Sequence, residues 1–152
     1  MPSSNYAGAY AVAAHVLIYQ GDPEAALRRT QDAIDRDPKY PFFYDYHLGH
    51  AHYVWGFKTS AQNPTVARQH FEEAEKHLRE AIKKNRNFRP ARGYLVAVLS
   101  ELGRQQEAVS EMATLRNMGE RSSDRILPYG DPAIKTHILE LWQAAERGAR
   151  RD

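Results

Sequence analysis

Apolar residues recur thirty-four positions apart in this 152-residue chain: Ala74 and Ala108, Leu78 and Met112, Ala81 and Leu115. A period of that length marks a supersecondary unit repeated along the chain, each copy burying its apolar face against the next. The glycines expected to close the first helix of each unit are Gly21, Gly56 and Gly103. Their spacings are 35 and 47 residues, and 47 is one unit carrying 13 extra residues between Gly56 and Ala74.

Apolar residues stepping by three and four predict helices over 6–20, 23–36, 42–56, 65–85, 88–102, 105–117 and 131–147. Glycine stops and Asp-Pro or Asn-Pro starts punctuate them: Gly21, then Asp22-Pro23; Asn63-Pro64; Gly103; Gly119; Asp131-Pro132. The segment FKTSAQN, 57–63, reads as a loop, and a polar stretch from Glu120 to Arg125 leads to Leu127-Pro128 and Tyr129-Gly130. No alternating β-branched run or Asn-Gly turn is present, so the expected class is all-α. Small residues at Ala14, Ala26, Gly49, Ala74 and Ala108 are expected where paired helices approach. In the last helix Ile138 and Trp142 are expected to cover an open end of the stack.

These residues resemble the tetratricopeptide repeat (TPR) family. The first unit supplies Tyr10, Ala13-Ala14, Leu17, Gly21, Ala26, Ala33 and Pro38. The second supplies Leu48-Gly49, Gly56, Ala74, Leu78 and Ala81, and the third Leu95, Leu99, Gly103, Ala108, Met112 and Leu115. Asp45 stands where the pattern has an aromatic, Arg86 replaces the second closing proline, and the third unit lacks that proline. The resemblance implies one domain over 1–152: an α-solenoid of antiparallel helix pairs at 7–40, 42–88 (insertion near 57–69) and 89–122, with a capping helix at 131–147. The runs NFRPARGYLVAVLSELGRQQEA and LPYGDPAIKTHILELWQAA also resemble the C-terminal TPR region of bacterial adenylate/guanylate cyclase-type signalling proteins, where repeats follow a catalytic or DNA-binding domain. That resemblance implies a regulatory module, or a piece of a larger signalling protein.

TPR stacks bind partners in a concave groove lined by the first helix of each pair. Carried onto this sequence, the expected partner-binding residues are His15, Tyr19, Phe43, Tyr46, His50, Tyr53 and Glu101. Aromatics offer large contact area at low entropic cost, which suits a peptide or partner helix with apolar anchors. The pair Tyr46→Ala and Tyr53→Ala is then expected to lose capture and keep helicity. The Lys, Asn and Arg by which some family members hold a C-terminal carboxylate are replaced here by Ala11, His15, Tyr46, His50, Gly93 and Ala97. The first helix starts with small residues and no helix precedes it, so a second expectation is self-association through that end.

Other chemistry is less well supplied. The 21 basic and 19 acidic residues give a net charge of +2, too balanced to argue for nucleic acid. With no cysteine there is no disulfide, thiolate metal site or cysteine nucleophile, which fits a reducing compartment. The longest apolar run, 94–99, is far short of a membrane span, and the first residues lack the basic start of a signal peptide, so a cytoplasmic location is expected. No phosphate loop, nucleophile elbow or dinucleotide fingerprint occurs. Neither catalysis nor a cofactor is expected. In HLGHAH, His47 and His50 share a face while His52 is rotated away to a packing position. His70 and His77, with Glu73 between them, lie on what reads as a solvated face, so no metal is expected. Lys83, Lys84, Arg86, Arg89 and Arg92 read as a solvated basic turn.

Overall fold

The computed structural model describes residues 2–119 and 131–151. Its regular elements are α1 Pro2–Tyr19, α2 Pro23–Arg36, α3 Phe42–Thr59, α4 Pro64–Lys84, α5 Arg89–Glu101, α6 Gln105–Asn117 and α7 Pro132–Arg151. Among the described residues there is no strand, and no helix is long and apolar enough to cross a membrane. The connection expected at 120–130, including the end of the third unit at 122, lies outside the described residues, as does the side chain of Tyr10.

The helix ends follow from local chemistry. Gly21 and Gly103 take φ of 83° and 76°, which a side chain would oppose. At each, the next amide reaches back to close the helix, Asp22 to the Leu17 carbonyl and Arg104 to the Leu99 carbonyl, both at 2.9 Å. Asp22 caps α2 by accepting from the Ala25 amide at 3.1 Å, and Asn63 caps α4 by accepting from Val66 at 3.2 Å. Proline follows both caps, where its missing N–H costs nothing.

Gly56 does something else. It does not end a helix; it lies inside α3, where a Cβ would stand 2.6 Å from the Phe71 ring of α4. One heptad earlier, a Cβ on Gly49 would stand 2.6 Å from Leu78 Cγ. Both glycines therefore serve close approach of α3 and α4. Of the residues expected as a loop at 57–63, 57–59 continue α3 and 60–63 connect it to α4. The insertion is absorbed as helix: α3 and α4 are 18 and 21 residues long, where α5 and α6 are 13 each.

Each helix packs on the next in the chain, and α1, α3, α5 and α7 also touch in succession. Helices α3 and α5 sit deepest, so 44–51 and 93–99 are buried on every side. Ala14, Ala26, Ala74 and Ala108 are fully buried in the main core. Ala11, Ala33 and Tyr44 form a smaller cluster at the α1–α2–α3 end. Helix α7 lays Ile138 and Trp142 against α5 and α6, with Trp142 Nε1 donating to the Gly93 carbonyl at 2.8 Å. It continues to Arg151, one turn past the expected end.

Much of the basic turn is engaged within the fold. Lys84 pairs with the buried Asp45 at 2.7 Å, Arg89 donates to the Met118 carbonyl, and Arg92 pairs with Glu111 at 2.7 Å.

Candidate functional site

Where the last turn of α1 meets α3, α5 and the first turns of α7, the helices leave a cavity of about 310 Å3. Its apolar wall is Ile18, Val54, Ile134 and Ile138, and its aromatic wall is Tyr19, His50 and Tyr94. Lys58, Asp131 and Lys135 contribute polar groups. The rings touch in series: Tyr19 meets His50 edge-on at 5.6 Å, and His50 lies 4.3 Å from Tyr94. Lys58 Nζ donates to the Gly21 carbonyl at 2.8 Å, tying the end of α3 to the end of α1. His50 is only 2% exposed, and its Nδ1 has no hydrogen-bond partner. An unpaired polar atom sealed inside the fold carries a desolvation cost.

Of the residues expected to bind a partner, Tyr19 and His50 line this cavity. His15 is half-buried against Tyr19 and His47, with ring centroids at 4.6 and 5.2 Å. Phe43 is half-buried at the start of α3, packed on Phe42 and Tyr44. Tyr46 and Tyr53 are core residues, Tyr53 with no exposed surface at all. Truncating that pair would open core cavities, so Tyr46→Ala with Tyr53→Ala reports on stability rather than on capture. Glu101 pairs with His137 of α7. Sequence reasoning missed Lys58, Tyr94, Ile134 and Ile138, because α7 was read as an end cover and not as a wall of the groove. The signal was present in the step from Ile134 to Ile138, one turn apart on the apolar face of α7.

Burial holds the three histidines of this region neutral. It lowers His15, lowers His47 to about 4, and with help from His47 and His15 lowers His50 further. In the unfolded chain each takes up a proton below pH ~6.5. The unfolded state then binds more protons, and folding stability falls as the pH drops from ~6.5 towards 4. His47 alone predicts a loss of roughly 3 kcal/mol over that window. Urea titrations at pH 7.5 and pH 4.5 measure it, and equal midpoints would remove the buried neutral histidines from the account.

A second cluster lies between α3 and α4. His70, Glu73 and His77 share one face of α4, which is not open to solvent as expected: His70 and His77 are partly covered by α3. His52 Nδ1 is 3.0 Å from His70 Nδ1, the Trp55 ring stacks on His70 at 4.3 Å, and His52 lies parallel to His77 at 5.8 Å.

No protein-family model matches the chain, and no curated protein matches it.

Proposed function

We propose that the chain is a TPR-like α-solenoid serving as a protein-interaction module, probing its partner through the cavity between α1, α3, α5 and α7. The pairs are α1–α2, α3–α4 and α5–α6, with α7 as the cap. Three features support the solenoid reading: sequential helix contacts, the succession of odd-numbered helices, and the reversed register in which Gly49 faces Leu78 while Gly56 faces Phe71.

The binding reading rests on the cavity. Its volume takes one or two large side chains, so a peptide or partner helix anchors there by an apolar residue. Lys58, Lys135 and Asp131 place charges of both signs at the rim. The role is regulatory binding rather than catalysis, either alone or as part of a larger signalling protein.

The test is a peptide recovered from a random display library by selection on the immobilised chain. Tyr19→Ala removes a half-exposed wall and is expected to weaken that peptide by ~10–100-fold, the size of an interface hot spot, with the thermal midpoint little changed. Unchanged affinity would move the site elsewhere.

Self-association is the second reading. Val12 and Val16, four apart on α1, are 67% and 46% exposed and offer an apolar strip to a second copy. A strict monomer by sedimentation across a concentration series would end that reading and leave the cavity reading intact.

A further inference from the structure

We propose that His52, Glu73 and His77 form a binding site for a divalent transition-metal ion of the zinc type, with His70 positioning the His52 ring. One ligand atom from each of the three lies within 4.8 Å of the other two. His77 Nε2 and Glu73 Oε2 are 3.6 Å apart, close to the ~3.3 Å edge of a tetrahedral zinc site with bonds near 2.0 Å.

The site spans two helices. Glu73 and His77 are one turn apart on α4, and His52 reaches them from α3. The helices can approach so closely because Gly49 and Gly56 line the same contact. A bound ion would therefore pin the longest hairpin of the fold.

Two imidazoles and one carboxylate suit zinc and its neighbours in the first transition row. Calcium and magnesium want oxygen-rich shells that this set lacks.

The outer contacts are those of a supported metal ligand. His52 meets His70 through Nδ1 at 3.0 Å, and Trp55 stacks on the His70 ring and fixes its plane. One ring of the Nδ1–Nδ1 pair donates and the other accepts; in the tautomer where His52 donates, its Nε2 keeps the lone pair for a metal. Three protein ligands leave a fourth position for water or for a donor from a bound partner.

The experiment is zinc titration of tag-free full-length chain against a chromogenic chelator, with cobalt(II) as the spectroscopic probe. One zinc per chain is expected, together with the intense visible bands of tetrahedral cobalt and a rise in thermal midpoint on loading. Glu73→Gln and His77→Ala are expected to abolish chelator competition. His70→Phe, which spares the three ligands, is expected to weaken zinc by ~10–100-fold. His137→Gln, on α7, should bind as the parent does. Glu73 is exposed, so Glu73→Gln keeps the fold, and circular dichroism checks this for each variant. Failure of the parent to compete with the chelator, or equal zinc affinity in the parent and Glu73→Gln, overturns the proposal. Neither result bears on the peptide cavity, which lies on the other side of α3.

Discussion

Trp142→Ala is expected to lower the unfolding free energy by about 4 kcal/mol, within the range for truncating a large buried aromatic. The indole is buried between α7 and α5, and its Nε1 donates to the Gly93 carbonyl at 2.8 Å. Gly93 itself is buried, with no side chain to keep the ring away. Truncation therefore loses the transfer energy of the ring, leaves a cavity, and removes the one hydrogen bond described from the α7 indole to α5. Trp142→Phe keeps most of the apolar area and is expected to cost about 1–2 kcal/mol. Urea unfolding followed by circular dichroism measures both. A loss below about 1 kcal/mol for the alanine variant would mean that α7 is not docked through this residue.

The second large effect comes from a charge. Asp45 has a carboxylate only 3% exposed, while Lys84, its partner at 2.7 Å, is 35% exposed. The Tyr40 hydroxyl donates to the same carboxylate at 3.4 Å, and Lys84 sits 3.9 Å above the Tyr40 ring. Removing the lysine strands a buried anion; removing the aspartate leaves a cation that can turn to water. Lys84→Met is therefore expected to cost about 3 kcal/mol, and Asp45→Ala less. The double variant should recover part of the Lys84→Met loss, since the stranded charge is gone. Additive losses in that cycle would show the pair to be uncoupled.

That pair also explains a departure in the sequence. Asp45 stands where the repeat pattern has an aromatic, and the sequence gives no reason for it, because its partner lies thirty-nine residues away on α4. The positive-φ turns at Gly21 and Gly103 were legible, since a helix stop needs that backbone locally. Gly56 was not, because the same residue type also serves close packing, and only the position of Phe71 distinguishes the two uses. Misreading Gly56 as a stop is what turned the last turn of α3 into an expected loop. There Thr59 Oγ1 and Ser60 Oγ instead donate to the carbonyls of Trp55 and Phe57.

Periodicity ran out at α3 for a physical reason. A helix flanked by α1, α2, α4 and α5 is buried nearly all round, so spacing told which residues share a face but not which face meets solvent. Tyr46, Tyr53 and His50 are all buried, and Tyr19 alone of the four keeps part of its surface. The spacing of His70, Glu73 and His77 along α4 was visible in the sequence. Their meeting with His52 depends on the register of α3 against α4, which no local pattern encodes.

The cavity as partner site is tested most directly by methyl chemical-shift mapping with a library-selected peptide. The account predicts perturbations at Ile18, Val54, Ile134 and Ile138, with Val12, Val16 and the methyls of α4 and α6 unmoved. Shifts confined to Val12 and Val16, or to the α4 face, with the four cavity methyls silent, would contradict it.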